Sequence, residues 1–154
     1  WIANYNCPGQ IVISGKKAAV EEACEKLKAA GAKRAIMLNV SGPFHSGMLV
    51  GAGEKLGKVL ENVEIHKPVI PNVTAQYVTE AEPVKDLLVK QVSSSVKWQQ
   101  CVETMLADGV DTFIEIGPGK TLAGFMRKID RSVKTLNVEK LEDIEKVVEA
   151  LKEA

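Results

Sequence analysis

The residues best suited to chemistry lie in the run Ser41-Gly42-Pro43-Phe44-His45-Ser46. Imidazole is the side chain that both takes and returns a proton near neutral pH, which suits His45 to general acid–base work. Gly42-Pro43 is a strong turn signal, so the chain bends just before the histidine. Ahead of the bend lies an apolar, strand-like segment from Ile36 to Val40, and behind it a helical pattern begins near Gly47. A histidine at such a bend is held by the scaffold yet left accessible. From this stretch alone two readings stand: a proton-transferring base, or a packed and hydrogen-bonded histidine with no chemistry. His66, the other histidine, sits in the charged run Glu64-Ile65-His66-Lys67-Pro68 and reads as solvated surface.

Other chemistries find little support. Gly117-Pro118-Gly119-Lys120-Thr121 invites a phosphate-loop reading, but the glycine required five positions before Gly119 is Ile114. Pro118 also lacks the N–H that such a loop would offer. A tight strand-to-helix turn is the better reading. No carboxylate pattern frames either histidine at metal-ligand spacing, so no metal site is expected. Ser41, Ser46 and Ser93 to Ser95 are present, yet none stands in a G-x-S-x-G elbow. A base at residue 45 therefore has no evident nucleophile to activate.

The elements that must position His45 follow from periodicity. The chain opens at Trp1-Ile2-Ala3-Asn4-Tyr5-Asn6 as though within a strand, which suggests a fragment. After the turn Cys7-Pro8-Gly9, Gln10 to Ser14 is a short strand. Val20, Ala23, Cys24 and Leu27 then stripe a helix that Gly31 should stop. Ile36, Leu38 and Val40 alternate as a half-buried strand, giving a small α/β unit of ferredoxin-like or βαβ kind. Met48, Leu49, Ala52, Leu56, Val59 and Leu60 keep helical spacing despite Gly51, Gly53 and Gly57. Either a neighbour packs very close there or that helix is weak alone. Pro68 to Ala75 reads as extended. A helix through Val84, Leu87, Leu88 and Gln91 follows, with Pro83 in its first turn, and Ser93 to Ser95 interrupt it. Trp98, Cys101, Val102, Met105 and Leu106 stripe the next helix, ended by Gly109. Strand 112–116, a helix through Ile129, strand 134–138 and a closing helix striped by Leu141, Ile144, Val148 and Leu151 complete the pattern. This alternation predicts parallel strands with helices on their faces.

The composition narrows the function further. The 154 residues are 45% apolar and 26% charged, with twenty basic and twenty acidic side chains, which suits one globular domain with a real core. A formal net charge of zero gives no electrostatic reason to expect nucleic acid or an anionic membrane as partner. No apolar run approaches the roughly 20 residues needed to span a bilayer. Cys7, Cys24 and Cys101 are widely separated and form no C-x-x-C, so neither a disulfide framework nor structural zinc is expected. A reducing cytoplasm is the natural compartment.

Taken in order, the motifs resemble one family, the malonyl-CoA:acyl carrier protein transacylases and the related acyltransferase domains of polyketide synthases. The residues that carry the resemblance begin with Ala3 through Gly15, Ala29 to Arg34 and Val40-Ser41-Gly42-Pro43-Phe44-His45-Ser46. They continue with Pro71-Asn72-Val73-Thr74-Ala75, then Lys90-Gln91-Val92 followed by Val96-Lys97-Trp98, and finally Phe113 through Lys120. Each is weak alone; the ordered set across nearly the whole chain is specific. The likeness is to the C-terminal half of the family only. Its G-H-S-x-G serine, its oxyanion segment and its carboxylate-pairing arginine are absent from this sequence. The resemblance implies the C-terminal part of an α/β-hydrolase-like acyltransferase domain plus the end of an inserted ferredoxin-like subdomain. Residues 1–40 would finish the small subdomain, and 41–154 would belong to the large one.

The implied chemistry is a two-step acyl transfer. His45 would deprotonate the upstream serine as it attacks the malonyl thioester, protonate the leaving coenzyme A thiol, and later deprotonate the phosphopantetheine thiol of acyl carrier protein. In the family the histidine is oriented by a backbone carbonyl, and the matching position is Gln91. Asn6 matches a polar position near the site, where satisfying turn backbone is an equal reading. Phe44 matches the residue associated with malonyl over methylmalonyl units, a one-methyl discrimination of about 1–3 kcal/mol. The Gly117-Pro118-Gly119 turn would help shape the floor of the serine pocket. No cofactor is implied; the partners are acyl carrier protein, a coenzyme A thioester and the missing N-terminal half, without which the fragment should be inactive. A non-catalytic carrier-protein- or ligand-binding module and an α/β-class hydrolase remain alternatives.

Overall fold

The computed structural model describes residues 1–64 and 67–152, so the expectation for His66 lies outside the described residues. The chain divides into two compact units, Trp1–Asn6 with Gln10–Cys101, and Cys7–Gly9 with Val102–Ala154. Strands and helices are mixed in both, as the alternating periodicities require.

In the first unit, β1 (Ile2–Cys7) pairs with β2 (Gln10–Ile13). A two-residue connection can join neighbouring strands only antiparallel, and Gly9, at φ 76°, supplies the left-handed residue of that turn. Helix α1 (Lys17–Ala29) follows with Cys24 buried, and Gly31, at φ 97°, stops it as its position suggested. The expected strand over Ile36 to Val40 does not form. Ile36, Leu38 and Val40 are each about 60% exposed, no strand pairs with them among the described residues, and the Val40 N–H turns back onto the Leu38 carbonyl at 3.0 Å. Alternation specifies a strand only where a partner takes up its ladder groups.

Beyond the histidine turn, a short 3-10 turn (Gly47–Leu49) leads into α2 (Val50–Leu60), which packs on α3 (Ala81–Gln91). Glycine lets the two backbones approach closely. A Cβ at Gly53 would lie 2.8 Å from the Val89 carbonyl oxygen, and one at Gly57 would lie 3.2 Å from Val89 Cγ2. Pro83 fits in the first turn of α3, where its missing N–H would have had no helical partner. The segment 68–75 is extended only in part. Val69 and Val78 form an antiparallel bridge, whereas Pro71's carbonyl accepts from the N–H groups of Thr74 (3.2 Å) and Ala75 (3.0 Å), closing a turn that leaves Ala75 at φ 57°. After α3, Val96 pairs parallel with β1: its N–H donates to Ala3 at 2.7 Å and its carbonyl accepts from Tyr5 at 2.8 Å. Helix α4 (Trp98–Ala107) then carries the chain across the division between the units.

In the second unit, β3 (Thr112–Ile116) and β4 (Lys134–Val138) are parallel, with Thr112 opposite Lys134 and Ile116 opposite Val138. Helix α5 (Thr121–Ile129) makes the crossover that parallel neighbours need, burying Ala123 and Met126. Its first turn is capped from the strand rather than from its own N-cap. The Glu115 carboxylate accepts from Leu122 N (3.1 Å) and Ala123 N (2.8 Å). Gly117-Pro118-Gly119 is accordingly a strand-to-helix turn, with Gly117 at φ 138° and Gly119 at φ 84°. Asn137 braces it by donating to the carbonyls of Glu115 and Gly119, both at 3.1 Å. Helix α6 (Leu141–Lys152) is capped by Asp143, whose carboxylate reaches back to the N–H groups of Lys140 and Glu139. Among the described residues no helix is long and apolar enough to cross a membrane.

Two stability predictions follow from this packing. Gly51 has nothing within 4 Å of an added Cβ, so Gly51→Ala should stabilise by about 0.5–1 kcal/mol through helix propensity. Gly53→Ala should instead destabilise by about 1–3 kcal/mol, because α2 and α3 must part. Urea titrations of the two variants will therefore move in opposite directions. The second concerns Asp143, whose carboxyl is held below its ordinary range by the Lys140 and then the Glu139 N–H groups. A carboxyl depressed by folding adds stability above its unfolded pKa of about 3.9 and loses it as pH falls through the lower folded value. Asp143→Asn should lower the melting midpoint at neutral pH, with the gap to the parent chain closing in acid.

Candidate active site

His45 occupies the third position of the bend 43–46, with φ at 54°, a left-handed backbone that is uncommon for any residue other than glycine. Its ring is half-buried and faces the end of α3. Nδ1 lies 3.1 Å from the Gln91 carbonyl oxygen and 3.2 Å from that of Ser94. A carbonyl can only accept, so Nδ1 must carry the proton and donate to both. In the neutral ring the lone pair is then on Nε2.

The two carbonyls are available for a structural reason. The last carbonyls of a helix lack intrahelical partners, and α3 ends in tight i→i+3 bonds: Val92 N to Val89 O, Ser93 N to Lys90 O and Ser94 N to Gln91 O, at 3.3–3.4 Å. Gln91 O has a second lone pair, which His45 takes. The Ser93-Ser94-Ser95 run is fixed beyond the helix by the Val96 bridge to β1 and by the Ser95 hydroxyl, which donates to the Ile2 carbonyl at 2.5 Å. Ser46, fully buried, donates to the Pro43 carbonyl at 2.6 Å and accepts from Met48 N at 3.3 Å, capping the 3-10 turn.

The sequence-derived residues are thus distributed unevenly. His45 and Gln91 are brought together, 46 positions apart in the chain. Phe44 adjoins His45 and is half exposed, its ring folded over Gly42, where an added Cβ would lie 3.8 Å from Phe44 Cζ. Asn6 is about nine-tenths buried near the end of β1, and no hydrogen bond joins it to His45 or Gln91 among the described residues. The second acceptor, Ser94, was missed because a backbone carbonyl has no side-chain signature. Ser46 did carry one, a serine just ahead of a helical run.

Other nucleophile or metal chemistry gains nothing from the structure. Burial pushes the Cys101 thiol up, away from the thiolate form a nucleophile needs. Cys7, Cys24 and Cys101 are buried and form no disulfide, and no cluster among the described residues could hold a metal ion.

Comparison with known proteins gives this geometry its setting. The family described as "Acyl transferase domain" matches residues 1–148. The malonyl CoA-acyl carrier protein transacylase of Bacillus subtilis (strain 168) is 49% identical over 155 residues, covering 99% of this chain and 49% of the relative. The crystal structure of the transacylase of that name from Clostridium perfringens superposes with a TM-score of 0.91 at 47% identity, again over 99% of this chain and 49% of the other. A type II PKS acyl-carrier protein in complex with its malonyl-transacylase gives a TM-score of 0.91 at 38% identity, over 97% and 49%. The chain therefore spans about half the length of the relatives it matches. A family match over residues 1–148, together with relatives 47–49% identical over 99% of the chain, leaves a single assignment: the chain belongs to the acyl transferase domain family, and its relatives there are malonyl CoA-acyl carrier protein transacylases.

Proposed function

We propose that this stretch supplies the general base of a malonyl-CoA:acyl carrier protein transacylase, and that the serine nucleophile lies in the part of the enzyme that corresponds to the upstream half of its relatives. The observation that carries the proposal is the double acceptance of His45 Nδ1–H by Gln91 and Ser94, which turns a bare Nε2 lone pair to the other side of the ring. In the first half-reaction Nε2 takes the serine proton as the oxygen attacks the malonyl thioester. It returns that proton to the coenzyme A sulfur as the C–S bond breaks. In the second, the phosphopantetheine thiol of acyl carrier protein gives up its proton to Nε2 and attacks the serine ester, and the serine oxygen is reprotonated as it leaves. Each proton taken is returned, so no cofactor is required.

The finer assignments belong to the same reading. Residues 1–40 finish a ferredoxin-like subdomain, for which the β1–β2 hairpin and α1 are the support, and 41–154 continue an α/β-hydrolase-like one. Phe44, beside the base and half exposed, limits the room at the acyl carbon, and Asn6 lines the same site from β1. The pathway is fatty acid biosynthesis in the cytoplasm, whose reducing conditions suit three cysteines that form no disulfide. Alone, the chain makes no acyl-enzyme.

The test joins this chain to the upstream half of the Bacillus subtilis relative and follows malonyl transfer from coenzyme A to acyl carrier protein. His45→Ala should lower transfer by about 10²–10⁴-fold, while His66→Ala should leave it nearly unchanged. Equal losses from the two substitutions would remove His45 from its role.

A further inference from the structure

We propose that Ser46 is a positioning residue for the His45 imidazole: its buried hydroxyl holds the bend in which His45 sits at a positive φ. The direction in which a side chain leaves the backbone is set by φ and ψ at its own residue. At φ 54° the Cβ of His45 points where an ordinary extended or helical residue would not send it. That conformation costs an L residue roughly 1–2 kcal/mol, so a neighbouring interaction must hold it.

Ser46 is placed to do so. It has no exposed surface, and its one hydroxyl makes two bonds of different consequence. The bond accepted from Met48 N caps the 3-10 turn ahead of α2. The bond donated to the Pro43 carbonyl, at 2.6 Å, closes a ring across Phe44 and His45. It ties together the same four residues, 43–46, that make the turn, in which His45 takes the positive φ that type II turns place at their third residue. Without that ring, His45 relaxes to negative φ and its Nδ1 leaves the Gln91 and Ser94 carbonyls. The ring then loses its fixed tautomer.

The inference builds on His45 as the base, but its test reads the ring and the backbone rather than transfer, so it stands or falls separately. The first measurement uses the 154-residue chain with ¹⁵N-labelled histidine, read on the alkaline plateau of a pH series where the ring signals no longer move. The chain has two histidines, and His45→Ala assigns the signals. The parent should show the Nδ1–H tautomer at His45, and Ser46→Ala should show a mixture of tautomers. The second measurement is a double-mutant cycle in thermal unfolding. Ser46→Ala should lower the midpoint by about 2–6 °C in the parent and by less than half as much in a His45→Gly background, where glycine adopts positive φ without cost. A residue that merely caps the 3-10 turn would cost the same in both backgrounds. An unchanged tautomer in Ser46→Ala, or equal midpoint losses, would overturn the proposal. Should Ser46→Ala alone not fold, the His45→Gly/Ser46→Ala chain decides: folding supports the latch, and failure to fold refutes it.

Discussion

The donation of one ring N–H to two backbone carbonyls is the constraint on which the rest of the site depends. His45 Nδ1 reaches Gln91 O and Ser94 O only if α3 ends where it does and the serine run turns as it does. Both conditions are set elsewhere in the first unit. The position of α3 follows from its close approach to α2 through Gly53 and Gly57, which leave no room for side chains against Val89. The course of residues 92–96 follows from the pairing of Val96 with β1 and the Ser95 bond to Ile2. A helix contact and a sheet contact thus converge on one imidazole.

Carbonyls suit this ring for an electrostatic reason. A carboxylate partner would fix the tautomer while adding a full negative charge beside the ring. The end of α3 fixes it with partial charges alone, and the negative pole of the helix still stabilises the imidazolium that forms when the base takes a proton. Because the base in a thioester transfer must also give the proton back, an orienter that holds the ring without binding the proton itself is chemically adequate. That no Asp or Glu is bonded to His45 among the described residues is therefore no objection to a catalytic role.

Much of this arrangement was legible in the sequence, and the parts that were not share a physical cause. The helices, the hairpin and the parallel β3–β4 pair followed from periodicity and turn residues; the glycines of α2 left open a close neighbour or a weak helix, and the structure supplies the neighbour. Ile36 to Val40 misled because alternation records which face could be buried, not whether a partner is present to bury it. The turn at 72–75 was hidden because Ala75 adopts a left-handed backbone that glycine or asparagine would have advertised. Gln91 was reached through family resemblance, not from its side chain. Ser94 and the parallel bridge at Val96 act through main-chain groups, which every residue possesses and no residue type reveals. The cap on α5 was missed because Glu115 lies on a strand, outside the window in which caps are sought.

The location of the orienting groups bears on the function proposed for the site. Every residue that fixes the ring, from Ala3 and Tyr5 through Ser46 to Gln91, Ser94 and Val96, lies within the first compact unit. No group from outside the chain is needed to choose the tautomer or to aim Nε2. On the proposed function, such a base would be preorganised before it met its alcohol, and the free energy of bringing the two together would go into positioning the nucleophile rather than turning the imidazole. Because the proposed transfer uses the same ring twice, this would matter most in the second half-reaction. By then the serine would be esterified and would offer the ring no O–H to bond. An imidazole aimed only by the serine would be free to rotate at that stage, whereas one aimed by α3 keeps its lone pair directed at the incoming thiol.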